Sequence, residues 1–399
     1  MATVMTAFGE FRSPFPAVVG RISHSVTASA PEDTILIARG QVPSGCDLSP
    51  FGAILTDQNL DGLPGRWKAG HYKSLDHLAD GDIVLVDGAS GRTRTLYRAG
   101  SLHNTLFVTG RCNSNCLMCS QPPESTDDGQ IQVAMKVLSL LKSAAPARLG
   151  ISGGEPTLLG AGFIELLSAL AADLPTTTIT CLSNGRNFAD PALAKAAASV
   201  AHPNIRFSIP VHADVPDVHD YIAQARGAFR ETIAGFYNLE EHGIPAEVRV
   251  VLHRQSVPRL PHLSEFVWRK LPFARQVAFM GLENMGYVKK NWKELWIDPI
   301  DYADILANAV DHLHRRGIPV SIYNLPYCVL RQDVWGFARQ SISDHKQTLI
   351  EECSRCDVAD HCAGFFTSSL ERHSRAIRPI RIGGSFEGVD RGLALSPVA

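Results

Sequence analysis

Between Asn104 and Ile322, short β-branched runs alternate with stretches whose apolar residues recur at helical spacing. The runs 105–109, 148–152, 177–182, 205–209, 247–252 and 276–280 predict strands. Val133, Val137, Leu140 and Leu141 fall at i, i+4, i+7 and i+8, and Phe163, Leu166, Leu167 and Leu170 at i, i+3, i+4 and i+7. Around 229–242, Ile233, Phe236 and Tyr237 share one helical face. Continuous apolar strands separated by helices imply an α/β architecture of parallel strands covered by helices. Six such units suit a doubly wound sheet or an incomplete barrel, and periodicity alone does not choose between them.

The pattern changes at both ends. Before residue 100, Ile35 to Ala38, Asp82 to Val86 and Thr93 to Arg98 predict strands, with DGASG at 87–91 supplying hairpin-turn chemistry. Residues 1–100 therefore read as a small β-rich domain, and 101–300 as the main α/β core. Beyond 300, a helix from Tyr302 to Arg315 and the run Val320 to Tyr323 lead into a loop-rich segment, 301–375. Residues 376–399 lack periodicity and read as a loosely held tail.

Composition adds mainly exclusions. A chain of 399 residues with 45% hydrophobic content can bury a sizeable core. The formal net charge is −2 and no basic block stands out, so nucleic acid and anionic membranes are not expected partners. No apolar stretch approaches the roughly 20 residues of a spanning helix, and the first residues lack a secretory pattern. A cytoplasmic location is expected. The nine cysteines are unevenly spread: Cys46 and Cys181 stand alone, while seven gather as 112/116/119 and 328/353/356/362. Clustered cysteines in a reducing compartment more often ligate metal than pair as disulfides.

The first group lies in VTGRCNSNCLMCSQPP, just after the first predicted core strand. Three thiolates within eight residues need a shared cation to offset their repulsion. A structural zinc closes its tetrahedron with four ligands, whereas three thiolates on a cubane leave one iron open. A zinc loop completed from elsewhere remains the plainer alternative. After the second core strand comes Ser152-Gly153-Gly154-Glu155-Pro156-Thr157, where paired glycines permit close backbone approach and Glu155 offers a carboxylate. Alone, it would read as an ordinary strand-to-helix turn.

Together, C-x3-C-x2-C after the first strand and GGEP after the second resemble the radical S-adenosylmethionine (SAM) superfamily. The resemblance implies a partial (β/α)6 TIM-like barrel and a [4Fe–4S] cluster on Cys112, Cys116 and Cys119, with SAM on the open iron. It also implies that Glu155 meets the SAM amino group beside Gly153 and Gly154, and that Ser183-Asn184-Gly185 is the family's turn after the third strand. Ser208 and Arg226 match positions that contact the ribose or carboxylate, although a structural role serves them equally well. Met118 stands where the family usually has an aromatic residue against adenine, and its polarisable thioether suits the same packing.

Cys353, Cys356 and Cys362 form C-x2-C-x5-C, with Cys328 upstream. Four thiolates suit a closed zinc site or a fully ligated auxiliary [4Fe–4S] cluster. The spacing resembles the SPASM and twitch extensions of peptide-modifying radical SAM enzymes, which implies the auxiliary cluster. Cys181 reads as a buried small residue, Cys46 as a loop cysteine and His361 as a solvent-facing neighbour of Cys362.

The stretch RCNSNCLMCSQPPE, the β-rich leader and the run from PYCVLRQDVWGF to CAGFFTSS resemble the HxsC-type maturases of the His-Xaa-Ser system. That resemblance implies reductive cleavage of SAM to a 5′-deoxyadenosyl radical, and C–H abstraction from a ribosomally made peptide carrying His-Xaa-Ser repeats. Implied partners are an external electron donor such as flavodoxin or ferredoxin, and a second radical SAM maturase. The rival readings are a radical SAM enzyme acting on a small metabolite or a partner enzyme, and a non-catalytic metal-binding scaffold. A strand edge in residues 1–100 is a candidate grip for a peptide by β-addition.

Overall fold

The computed structural model describes residues 5–26, 31–40, 46–61, 63–126 and 129–382. Cys46 is exposed at the start of one described stretch, and the tail beyond residue 382 lies outside the described residues.

The first hundred residues form an eight-stranded mixed sheet. Its strands are β1 (Thr6–Phe8), β2 (Glu10–Phe11), β3 (Val18–Ser23), β4 (Thr34–Ala38), β5 (Ala53–Thr56), β6 (Ala69–His71), β7 (Ile83–Asp87) and β8 (Arg92–Tyr97). The order is β1-β8-β7-β3-β4-β5-β6-β2, so the two outermost strands are consecutive segments joined by Gly9 alone. The sheet thus closes on itself through one residue. Glycine is required there, because a Cβ on Gly9 would lie 2.4 Å from the buried Tyr72 ring. The buried face holds Ile22, Ile35, Ile37, Leu55, Tyr72, Val84 and Val86, with the Tyr72 hydroxyl 2.6 Å from Thr93 Oγ1. This closure corrects the expected open edge: the strands at both ends of the order belong to one continuous stretch. Closure is one way sheets remove exposed pairing groups.

The second sheet has eight parallel strands: β9 (Thr105–Phe107), β10 (Arg148–Ser152), β11 (Thr178–Leu182), β12 (Ile205–Pro210), β13 (Ala246–Leu252), β14 (Val277–Gly281), β15 (Val320–Tyr323) and β16 (Ala338–Arg339). They pair in chain order. Their connections carry α1 (Gln130–Leu141), α2 (Ala161–Asp173), α3 (Pro191–Ser199), α4 (Pro216–Ala223), α5 (Ala228–Glu241), α6 (Leu260–Lys270), the one-turn helices α7 (Tyr287–Lys290) and α8 (Trp292–Leu295), and α9 (Ala303–His314). A parallel sheet in sequential order fits a partial barrel. The sheet runs two strands past the expected core limit at residue 300, since β15 and β16 pair onto β14 in turn.

The strands are not apolar on both faces. Ile151, Ile179, Cys181, Phe207, Ile209, Val248, Val250, Phe279 and Ile322 join the helices in the main core. The alternate positions, which line the other face, include Gly150, Thr180, Ser208, Glu247, Arg249, Ala278, Ser321 and Tyr323. Only the helix-covered face must be greasy; the lumen face is largely polar or small.

The closed sheet rests on α1. Val19, Ile83, Leu96 and Tyr97 share the main core, Arg94 Nη2 meets Gln130 Oε1 at 3.2 Å, and Lys136 pairs with Asp33. The C-terminal segment adds β17 (Gln347–Thr348), β18 (Phe365–Phe366) and several 3-10 turns. Residues 376–382, expected as part of a loose tail, are instead packed. Asp357 N donates to Ile380 O at 2.9 Å, Ile382 N donates to Asp357 Oδ2 at 2.9 Å, and Ile380 and Ile382 cover Tyr327, Val358 and Cys362. Among the described residues no helix is long and apolar enough to cross a membrane.

Candidate active site

The loop after β9 carries Cys112, Cys116 and Cys119, and loops from four other strands hold it. From β10, Gly154 N donates to Thr109 O and Glu155 N to Arg111 O, each at 2.7 Å. A Cβ on Gly153 would meet Thr109 O at 2.6 Å, and one on Gly154 would meet Arg111 O at 2.2 Å. In this structure the paired glycines thus bring the β10 turn against the cysteine loop's own backbone. From β11, Asn184 Nδ2 donates to Asn113 Oδ1 at 2.6 Å and lies 3.9 Å from Cys112 Sγ. From beyond β12, the end of α4 accepts Asn115 N and Leu117 N on Ala223 O and Ile222 O. From beyond β14, Tyr287 N donates to Cys119 O at 2.8 Å and Asn291 Nδ2 to Leu117 O at 2.8 Å. Gly286, at φ 54°, makes that last approach possible, since its Cβ would fall 2.3 Å from Cys119 O.

Glu155 is fully buried. Its Oε1 accepts from Thr157 N at 3.1 Å and Ser183 Oγ at 2.8 Å, and its Oε2 from Asn184 N at 2.6 Å; Thr157 Oγ1 adds a further bond at 2.5 Å. Burial raises its pKa, against the pull of those donors. The carboxylate therefore ties the ends of β10 and β11 together, and Oε2, with one bond, keeps capacity for another donor.

Burial also governs the thiols. Cys116 is pushed up to about 12, with the charges of Cys119 and Cys112 adding to the effect, and Cys112 and Cys119 are raised for the same main reason. Three buried thiols facing mutual repulsion are stabilised as thiolates only by a cation. Among the described residues, no three His, Cys, Asp or Glu side chains close on a single ion's position. A cubane, by contrast, takes each thiolate on a separate iron, and the donor set of three thiols with Ser114 N on Cys112 at 3.4 Å suits it. Met118 lies with Leu117, Ile222, Val288 and Leu295 in a small apolar cluster beside Cys116.

The remaining expected residues are placed differently. Ser208 is buried on the lumen face and its hydroxyl donates to Glu247 Oε1 at 2.6 Å, so it is committed to a protein partner. Arg226 is exposed in the turn between α4 and α5. The guanidinium actually built into the site is Arg186, whose Nη1 donates to Asn113 O and to Ser114 Oγ at 3.1 Å while Nε meets Glu231 Oε2 at 2.6 Å. Sequence reasoning passed over it; its place directly after Ser183-Asn184-Gly185 was the sole signal. Cys181 is buried in the main core.

Cys328, Cys353, Cys356 and Cys362 all line one concavity, with Tyr327, Val358 and Ile380 among its walls. Burial pushes Cys328 up to about 11 and raises Cys353 and Cys362. Backbone amides face the sulfurs: Ile380 N lies 3.4 Å from Cys356 Sγ and Gly364 N 3.5 Å from Cys362 Sγ. His361 is exposed.

A second cavity adjoins the four-cysteine concavity and is lined by Leu252, Leu282, Trp296, Tyr302, Phe365 and Phe366 among others. Leu282, on one wall, also packs in the cluster holding Cys116 and Met118. Pro326, Phe365 and Ile377 are shared with the four-cysteine concavity.

Residues 106–266, which carry this arrangement, match the family model described as Radical SAM superfamily. The match supports a radical SAM enzyme, and the family implies a [4Fe–4S] cluster and SAM. The chain is 23% identical over 221 residues to Fe-coproporphyrin III synthase of Methanosarcina barkeri, covering 54% of this chain and 53% of that protein. It is 25% identical to the sporulation killing factor maturation protein SkfB of Bacillus subtilis, covering 43% of this chain and 42% of the relative. The chain thus spans about half the length of these relatives. Among solved structures, Streptococcus suis SuiB bound to precursor peptide SuiA aligns with TM-score 0.45 and 16% identity, over 55% of this chain and 47% of that one.

Proposed function

We propose that this chain is a radical SAM peptide maturase acting on a ribosomally made peptide of the His-Xaa-Ser type. The observation that carries the reading is a cavity that shares Pro326, Phe365 and Ile377 with the four-cysteine concavity and whose Leu282 also packs against the cluster of Met118 and Cys116. The SkfB relative is named as a maturation protein, which supports a peptide substrate.

Cys112, Cys116 and Cys119 would hold the first cluster, and Cys328, Cys353, Cys356 and Cys362 an auxiliary one. When bound, the cluster and SAM supply one-electron cleavage of the SAM C5′–S bond, giving a 5′-deoxyadenosyl radical that takes a hydrogen from the substrate. The chain's own residues orient and enclose. Glu155, Asn184 and Arg186 fix the cysteine loop, and the spare acceptor capacity of Glu155 Oε2 suits the SAM amino group. Leu252, Leu282, Trp296, Phe365 and Phe366 keep the cavity apolar, which excludes water from a reactive carbon centre. An external one-electron donor, such as a flavodoxin or ferredoxin, completes the reaction.

The test is anaerobic reconstitution with iron, sulfide, SAM, dithionite and a peptide bearing His-Xaa-Ser repeats, read by mass spectrometry. The reading expects 5′-deoxyadenosine and a peptide mass change, both lost in Cys116→Ala. SAM cleavage without any peptide change would favour the metabolite alternative, to which the name of the Fe-coproporphyrin III synthase relative lends support. Absence of SAM cleavage would end both.

A further inference from the structure

Residues 376–382 belong to no helix or strand, yet the segment is fastened at both ends. Just before it, Ser374 Oγ donates to Asp298, and Arg375 N and Nη1 donate to Asp298 Oδ2 at 3.1 and 2.9 Å. At its end, Ile382 N donates to Asp357 Oδ2 at 2.9 Å and Arg381 Nη1 to Asp357 Oδ1 at 3.0 Å. Asp298 lies between α8 and α9, and Asp357 directly follows Cys356. The segment is therefore a strap running from the barrel to the cysteine-bearing loop.

On its way the strap crosses the four-cysteine concavity, whose walls include Ile377, Arg378 and Ile380. Ile380 N points at Cys356 Sγ, 3.4 Å away, while Ile380 O accepts from Asp357 N at 2.9 Å. Two residues earlier, Arg378 N donates to Cys328 Sγ. Donors at 378, 380 and 382 follow the alternation of an extended chain, in which amides two residues apart point the same way. Pro379 falls between them, where a missing N–H loses nothing, and it biases Arg378 toward extended backbone. Ile380 and Ile382 pack on Tyr327, Val358 and Cys362, whereas Arg378 and Arg381 are exposed. The two amides thus reach sulfurs on two separate segments of the chain. A neutral thiol gains little from such a donor, but a thiolate gains much, because its sulfur carries charge.

We propose that residues 377–382 cap the four-cysteine site, with Arg378 N and Ile380 N as positioning donors that hold Cys328 and Cys356 as thiolate ligands and so retain the metal. The inference rests on the proposed reading of these four cysteines as metal ligands, and it applies to a cluster and to a zinc ion alike. The expected loose tail is, over these residues, an outer wall of the second metal site.

The experiment challenges the anaerobically reconstituted full chain with excess bathophenanthroline for iron and 4-(2-pyridylazo)resorcinol for zinc. The phase of metal release that is missing from C362A belongs to the four cysteines. R378P and I380P each delete one donor, while R378A and I380A change the same side chains and keep the N–H. Each proline variant should release that metal roughly tenfold to a hundredfold faster than its alanine counterpart, the usual effect of losing an outer partner of a metal ligand. When the metal is a cluster, the proline variants should also titrate at a more negative potential than the alanine ones, because hydrogen bonds to the sulfurs favour the reduced state. Should both proline variants fail to fold, D357A decides, since it unfastens the strap and leaves its amides in place; faster release supports the strap and the wild-type rate overturns it. Equal rates within each proline–alanine pair of a loaded protein overturn the strap alone. A wild type holding about four irons and no zinc overturns it together with the four-cysteine reading.

Discussion

Asn184 Nδ2 donates to Asn113 Oδ1 at 2.6 Å, joining the turn after the third barrel strand to the loop that carries the three cysteines. The same nitrogen lies 3.9 Å from Cys112 Sγ, while Asn184 N donates to Glu155 and Asn184 O accepts from Thr232 Oγ1 at 3.0 Å. One residue therefore sets the position of a ligand through its side chain and of the acid beside it through its backbone N–H. N184A should lower stability by about 1–2 kcal/mol, the net worth of one or two hydrogen bonds. Loss of the amide near the sulfur should also make the first cluster harder to reduce. Denaturant titration and redox titration of the reconstituted protein check the two effects.

Gly154 allows an approach that no side chain permits. G154A would set its Cβ 2.2 Å from Arg111 O and push the cysteine loop off the β10 turn. The expected result is loss of the first cluster alone, so iron falls from about eight to about four atoms per chain. G162A, at the start of α2 with its nearest neighbour 3.8 Å away, should leave iron content unchanged.

Removing the Glu155 carboxylate strands a buried set of donors. E155A should cost about 3 kcal/mol or more, since Thr157 N, Ser183 Oγ and Asn184 N all lose their acceptor. E155Q retains one oxygen and should cost less. Denaturant midpoints of the apo chain give the comparison independently of SAM.

Three histidines are buried near the barrel mouth: His212 after β12, His219 on α4 and His253 after β13. His212 and His219 rings lie 4.9 Å apart. Burial drives all three below the ordinary value, His219 to about 4 and His253 to about 3. On acidification the unfolded chain takes up these protons first. Stability from this source is therefore whole above pH about 6.5 and is lost as pH falls toward 4. H253Q should reduce the slope of stability against pH by about 1.4 kcal/mol per unit in that window, measured by denaturant titration of the apo chain.

The four-cysteine concavity makes an independent prediction. C362A should remove about four irons while leaving the first cluster and its SAM binding in place. If the site holds zinc instead, metal analysis of the wild type will find about one zinc and four irons.

Much of the barrel was legible because its helix-covered face must be apolar. Runs such as RLGIS and IRFSI mark strands whichever way they close, and C-x3-C-x2-C with GGEP locates the cysteine loop and its neighbour. The lumen was not legible, because polar positions such as Ser208, Glu247 and Arg249 interrupt an apolar run without saying what they face. Arg186 owes its role to partners 45 or more residues away, which leave no local pattern. The two strands joined at Gly9 were missed because segments of three and two residues are too short to show a period. For Ser208 and Arg226 the sequence left a structural role as open as a ligand contact; in the fold the Ser208 hydroxyl bonds Glu247 and Arg226 is exposed.

The seam at Gly9 has a consequence for how the chain assembles. The β1–β2 segment must wait for β6 and for β8, whose partner positions reach Arg94, before both of its sides are occupied. Until then the nascent segment carries unpaired backbone on either flank. Trimming residues 5–11 would thus unzip a ring and expose two flanks at once, inviting association between copies.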